Sequence, residues 1–362
     1  MIRISRRSAL LGAGAALVGT NPAMAMRRCT VLPTDGWRAR PPLPVKVQEI
    51  YPAVLDGRIY VAGGLQAADG DDVDSISDAL LVMRTVQDQG EEIAAGGIPY
   101  MICDFAWGAR ARLPEPRHHP NLVGHAGAVY AIGGFHAVEG GIWGMLATNT
   151  RYDPLADSWA EMAPLPEPFA ETCAVSLNGM IHVATGRQPA GDANVQWTDH
   201  SDSGAHFVYD ATADRWHRAA PNPNPRNSAA GVVLNERFHV VAGRTVAEGN
   251  QAFHEAYDPV SDSWESLAPM PQAQGGLAAA VAGGKIYAFG GEWFDDGGGV
   301  YPQCWVYDPQ TDAWSAGPDM RSPRHGLGGV AIDNTIYSIG GALQASGRMT
   351  TGTVESFTPP AW

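Results

Sequence analysis

Residues 285–314 read KIYAFGGEWFDDGGGVYPQCWVYDPQTDAW. The run from Lys285 to Phe289 has the β-branched and aromatic content of a buried strand, and it stops at the pair Gly290-Gly291. Tyr307-Asp308-Pro309 follows, with the tyrosine seven residues before Trp314. The same marks recur along the chain. Tryptophans at 37, 107, 159, 216, 264 and 314 each stand 26 residues before a small-residue pair: Gly63-Gly64, Gly133-Gly134, Thr185-Gly186, Ala242-Gly243, Gly290-Gly291 and Gly340-Gly341. Tyr152, Tyr209 and Tyr257 also stand seven residues before a tryptophan. Successive tryptophans are 70, 52, 57, 48 and 50 residues apart, so length varies only between a pair and the next tryptophan.

A period near 50 with a glycine pair, a later tyrosine and a later tryptophan resembles the kelch repeat. The resemblance covers about residues 37–357. It implies an all-β fold, a six-bladed kelch β-propeller, in which each unit is a four-stranded blade that buries its faces only against its neighbours. The expected order is an inner strand, a second strand ending in the pair, a third ending in the tyrosine and an outer strand carrying the tryptophan. The last unit reaches Phe357 without a tryptophan of its own, and Trp37 has no strands before it. Residues 37–40 are therefore expected to complete the sixth blade and close the ring. The long first spacing places an insertion of about 20 residues at 65–100 of blade 1, read as a solvated loop, with a lid or a subunit contact as alternatives.

Residues 1–25 have the basic, apolar and small-residue regions of an export signal, with Arg6-Arg7 resembling a twin-arginine motif and Ala23-Met24-Ala25 preceding the expected cleavage. The apolar stretch from Ala9 to Val18 is too short to span ~30 Å of hydrocarbon. The expected mature protein is residues 26–362, one propeller, soluble in the periplasm. The whole chain has 24 Lys+Arg and 38 Asp+Glu, a formal charge of −14, which argues against nucleic acid as a partner. Hydrophobic residues at 45% and 43 glycines exclude a disordered chain and favour a turn-rich globular one. Cys29, Cys103, Cys173 and Cys304 leave three full pairings open, and none has a zinc or haem spacing.

Two columns of aligned residues are expected at one mouth of the ring, where the loops after the pairs and the loops entering the inner strands meet. Sixteen residues before each pair stand Val47, Arg117, Phe169, Arg226, Gln274 and Arg324; two residues further on come Glu49, His119, Glu171, Ser228, Gly276 and Gly326. Directly after the pairs stand Leu65, Phe135, Arg187, Arg244, Glu292 and Ala342. Five arginines (117, 187, 226, 244, 324) and three carboxylates (49, 171, 292), with His118, His119 and His325, are thus expected to face this mouth. The alternative for Arg117, Arg226 and Arg324 is structural: each follows a proline and could satisfy loop carbonyls. An arginine fork suits a carboxylate, so the mouth points to a small anionic ligand recognised locally.

Glu171 and His119 on neighbouring blades form a candidate acid/base pair. Trp143, Trp293 and Phe294 offer faces for a sugar ring. Asp199, His200, Asp202 and His206 include metal-binding types in no established ligand pattern, so neither a metal nor another cofactor is expected. The nearest functional resemblance is to periplasmic six-bladed kelch enzymes of the N-acetylneuraminate epimerase (mutarotase) type, which implies catalysis by a glutamate after a glycine pair with a nearby arginine. Glu292 and Arg244 match that form. A copper radical oxidase like galactose oxidase lacks its ligand set here. The reading is an exported propeller that binds a small acidic sugar and interconverts it as an isomerase. A non-catalytic propeller with a protein or glycan partner, and a lyase on uronate polysaccharide, are the alternatives.

Overall fold

The computed structural model describes residues 34–85 and 105–360. The expected signal segment, Cys29, Cys103 and residues 86–104 lie outside them. Six four-stranded antiparallel sheets follow one another along the chain. Blade 2 shows the plan: Asn121–His125 is innermost, then Ala128–Ile132, Asn149–Asp153 and Ser158–Met162. Blade 6 consists of Gly328–Ile332, Thr335–Ile339 and Val354–Phe357, and its outer position is filled by Arg38–Arg40, with Arg38 opposite Ser356 and Arg40 opposite Val354. The inner strands pack in sequence, Ala53–Leu55 touching both Asn121–His125 and Gly328–Ile332. No helix among the described residues is long and apolar enough to cross a membrane.

The repeated residues explain themselves as contacts between blades. Each tryptophan donates its indole N–H to a carbonyl of the preceding blade: Trp159 to Ala111 (2.8 Å), Trp216 to Ala163 (2.8 Å), Trp264 to Ala220 (2.8 Å), Trp314 to Ala268 (2.8 Å), Trp37 to Pro318 (3.0 Å) and Trp107 to Pro41 (3.2 Å). Each tyrosine hydroxyl donates to an aspartate five residues on, as Tyr152 to Asp157 at 2.6 Å, and that aspartate also accepts a backbone N–H from the preceding blade, here Ala111 at 2.9 Å. Asp214, Asp262 and Asp312 repeat this double bond. The aspartate column, two residues before each of these tryptophans, was not singled out from the sequence.

The glycine pairs divide into two positions with different demands. The first also accepts Thr185 (φ 49°) and Ala242 (φ 54°), because the left-handed region is strained but reachable for a side chain. The second is glycine in all six copies, with φ between 94° and 150°. A Cβ on Gly134 would lie 2.7 Å from the His118 carbonyl oxygen. Gly134→Ala is expected to destabilise the fold by about 3 kcal/mol. Urea unfolding of the variant beside the wild type checks this, and an unchanged midpoint would refute it.

The described strands narrow the interval 65–100 in which the extra length of blade 1 was expected. The loop after Gly63-Gly64 forms a short hairpin, Leu65–Gln66 with Ser75–Ile76, and the third strand begins at Leu80. That interval is ordinary, since Asn149 begins the third strand of blade 2 after Gly133-Gly134. Leu80–Thr85 then pairs with Phe105–Arg110, so the extra residues fall in sequence between the third and outer strands. Blade 1 has no Tyr-Asp-Pro mark to show where its third strand ends, which is why tryptophan spacing alone gave only the wider interval.

Candidate functional site

Short antiparallel bridges bring the two columns together: His118 with Phe135, Ala170 with Arg187, Asn227 with Arg244, Gly275 with Glu292 and His325 with Ala342. The next residue of each entering loop, Glu49, His119, Glu171, Ser228, Gly276 or Gly326, has φ between 49° and 69°. At five of the six, the backbone N–H bonds the carbonyl of the equivalent residue on the adjacent blade: Glu49 to Gly326 (2.6 Å), His119 to Glu49 (3.0 Å), Ser228 to Glu171 (3.3 Å), Gly276 to Ser228 (3.0 Å) and Gly326 to Gly276 (3.0 Å). The left-handed turn thus sets a belt of main-chain bonds about the axis.

Side chains above this belt form a second, polar ring. His119 Nε2 lies 2.9 Å from Glu49 and 4.0 Å from Glu171. Glu171 accepts from Ser228 Oγ at 2.6 Å, and Ser228 Oγ accepts from Arg244 Nε at 3.1 Å. Arg244 pairs with Glu292 at 2.9 Å. His325 Nδ1 lies 3.3 Å from Glu292 and 3.7 Å from Glu49, which returns the circuit to its start. Arg187 stands outside this circuit, 4.0 Å from Glu171, and its buried Nε has no hydrogen-bond partner.

Burial and neighbouring charge pull these groups in opposite directions. Desolvation pushes the Glu49 carboxyl up, but His119, His325 and Arg244 outweigh it and hold its pKa at about 2. Glu171 is likewise pushed up by burial and lowered overall, chiefly by Arg187 and then His119 and Arg244. Burial works against the Arg244 charge, yet Glu292, Glu171 and Glu49 drive its pKa above the usual arginine value. All three are therefore ionised at neutral pH. Beneath the ring the axial channel is lined by Tyr51, Asn121, Thr172 and Cys173 among small inner-strand residues.

Of the eleven residues expected at the mouth or in catalysis, seven meet here: Glu49, His119, Glu171, Arg187, Arg244, Glu292 and His325. Arg117, Arg226 and Arg324 do not. They run inward under the pair loops and are fully buried. Arg226 bonds Glu255 (2.6 Å) and the carbonyl of Ala242; Arg324 bonds Glu355 (3.1 Å) and the carbonyl of Gly340; Arg117 reaches Thr148 and the carbonyl of Gly133. The shared target is the carbonyl of the first pair residue, 16 positions on, and Gln274 serves it too, donating to Gly290 at 2.9 Å. This column satisfies carbonyls, and the expectation that five arginines face the mouth reduces to two. Trp293 packs on Tyr301 at 4.8 Å instead of entering the ring. Trp197 and Phe294, exposed by 48% and 58%, lie over the Arg187 and Arg244 guanidinium groups at 5.4 and 5.3 Å. Ser228 was given no role from the sequence, since serine at a turn carries no signal of its own, and His118, expected at the mouth, lies buried beside His119 with its Nδ1 2.7 Å from the His119 Nδ1. Among the described residues no three His, Cys, Asp or Glu side chains are gathered as metal ligands, and Cys173 and Cys304 are buried free thiols.

Residues 275–321 match the kelch motif. The solved structure titled "Structure of YjhT" superposes with a TM-score of 0.68 at 18% identity, covering 87% of this chain and 95% of that one. The fold is a kelch-repeat propeller. Curated relatives at the sequence level include Kelch-like protein terF of Aspergillus terreus, 26% identical over 61% of this chain and 47% of that protein. Beta-scruin of Limulus polyphemus is 29% identical over 40% of this chain and 15% of that one. Kelch-like protein 35 of the mouse is 28% identical over 38% and 29%. The chain spans less than half the length of these curated relatives.

Proposed function

We propose that the polar ring at the mouth of this kelch propeller binds a small carboxylate-bearing sugar and interconverts its forms by general acid/base catalysis. The observation that carries the reading is the circuit Glu49, His119, Glu171, Ser228, Arg244, Glu292, His325, with Arg187 beside it holding an unpartnered buried Nε. An arginine with free donors in a buried site favours a ligand carboxylate. A carboxylate and an imidazole within reach of one sugar ring supply the base and the acid. In ring opening the base takes the anomeric hydroxyl proton, the bond from the anomeric carbon to the ring oxygen breaks as the acid protonates that oxygen, and an open-chain carbonyl results. Reclosure on the other face by the reverse transfers gives the second anomer, with no net gain or loss of protons or electrons. Export through residues 1–25 to the periplasm belongs to the same proposal.

The test is calorimetry with uronic and nonulosonic acids against their neutral counterparts, together with magnetisation-transfer NMR of anomer exchange. Acidic sugars are expected to bind and exchange faster, and neutral ones not. Arg187→Gln is expected to weaken binding by about 10- to 100-fold, the worth of one charge-assisted hydrogen bond. Equal affinity for neutral sugars, or an unchanged Arg187→Gln, would refute the reading.

A second reading rests on one observation, the exposed Ile142, Trp197, Val246, Phe294 and Met349 on loops after the pairs of blades 2 to 6. Such a rim also suits a protein partner. Loss of a partner on replacing Trp197 and Phe294, with sugar binding absent throughout, would favour it.

A further inference from the structure

The hydrogen bonds of His118 and His119 decide where a proton resides in the ring. The Ile142 carbonyl oxygen can only accept, so His118 Nε2, 2.8 Å away, carries hydrogen. His118 is fully buried, stacked on Phe135 at 5.2 Å and edge-on to Trp143 at 4.9 Å. Burial first, and His119 second, push its pKa down to about 3, so it is neutral and its Nδ1 is a bare lone pair. His119 Nδ1 lies 2.7 Å from that lone pair and must supply the hydrogen between them.

The other nitrogen of His119 faces Glu49 at 2.9 Å. A bare nitrogen and an ionised carboxylate at that distance would repel, so a second proton lies between them. Glu49 is flanked by His325 and Arg244 as well, and its acidity leaves this proton on the imidazole. The remaining groups facing His119 are Glu171 at 4.0 Å, the Tyr51 ring and the side chains of Phe135 and Trp143.

We infer that His118 is a positioning residue that holds His119 as an imidazolium, making the His119 Nε2–H the acid of the ring. Its catalytic use rests on the acid/base reading above, but the protonation itself belongs to the free protein and is measured there.

The experiment is NMR of the full chain labelled with 15N-histidine, without ligand, at pH 7.5. Signals of His119 are identified by their loss in His119→Gln. Both ring nitrogens of His119 are expected to carry protons in the wild type. In His118→Phe, which keeps the aromatic packing and removes the acceptor, His119 is expected to become the neutral tautomer protonated at Nε2 alone. Glu49→Gln, which keeps the shape and removes the charge, is expected to neutralise His119 too and serves if His118→Phe does not fold. A neutral His119 in the wild type, or an imidazolium that survives in the folded variants, overturns the inference. Acidic sugars titrated into the wild-type sample report separately: no binding would refute the proposed function and leave the protonation result standing.

Discussion

Arg226→Ala is expected to lower the free energy of unfolding by about 3–5 kcal/mol, and Arg187→Gln by less. Both residues were expected at the same mouth and both are buried, but their bonding separates them, since Arg187 lies 4.0 Å from Glu171 with an Nε that has no hydrogen-bond partner. The Arg226 guanidinium is sealed from solvent and bonds Glu255, Asn222 and the carbonyls of Ala242, Asn224 and Val240. Removing it strands an ionised Glu255 that is 1% exposed, together with a group of carbonyls at a blade junction. Such an uncompensated charge costs far more than the pair contributes relative to apolar packing. Urea unfolding of the two variants side by side measures the contrast. An Arg226→Ala midpoint equal to that of the wild type would show that water enters the junction and the column is not structural. Arg324, paired with Glu355 in the same manner, is expected to behave alike.

The second large effect is a loss of stability in mild acid. Blades 3 and 4 each bury a histidine pair, His182 Nδ1 against His206 Nε2 and His239 Nδ1 against His254 Nε2, both at 3.0 Å. His206 and His254 donate their remaining N–H to the carbonyls of Ala220 and Ala268, so each pair is satisfied only when neutral. Burial is the first cause of depressed pKa values throughout, about 4 for His182 and His239 and about 3 for His206 and His254. The unfolded chain takes up protons below pH ~6.5 while the folded one does not, so stability is full above that pH and falls as pH drops towards 4. One histidine held from 6.5 to about 4 corresponds to about 3 kcal/mol. Counting one protonation per pair gives about 6 kcal/mol, a large share of a typical 5–15 kcal/mol. Glu49, with its pKa held at about 2, adds to the loss only at lower pH. Denaturant unfolding at pH 7, 6, 5 and 4 measures the slope, which His182→Leu combined with His206→Phe should reduce. A flat profile from pH 7 to 4.5 would refute it.

Much of the fold was legible because its repeated residues form the same bond six times. A tryptophan whose N–H meets a carbonyl one blade earlier cannot drift in spacing without losing that bond, so the period survives where little else in the repeats does. The second glycine of each pair is equally constrained by its backbone. The mouth was legible in position for the same reason, since aligned columns become neighbours around an axis. What aligned columns do not reveal is the direction a side chain takes. Arg226 and Arg244 are the same residue type near the same loops; one runs under the pair and the other above the belt. Gln274 in the inner column was the available sign, because a carbonyl-seeking amide shares that duty with an arginine and an anion site does not require it. The proton on His119 was beyond sequence altogether, because it depends on a carbonyl at Ile142 that spacing does not place.

The belt of hydrogen bonds at residues 49, 119, 171, 228, 276 and 326 involves main-chain atoms alone, and all six residues share one left-handed conformation. Its integrity is therefore indifferent to what each residue carries above it, provided that conformation is tolerated. Two glutamates, a histidine, a serine and two glycines already occupy these six equivalent seats. Gly276, where a Cβ would meet nothing nearer than 3.5 Å, is thus a place where a different functional group could be installed without redesigning the backbone, whereas a side chain on Gly326 would meet the Glu49 carboxylate. A propeller built this way can change its ligand by exchanging tips on a constant hoop, so that divergence in chemistry need leave no trace in the architecture.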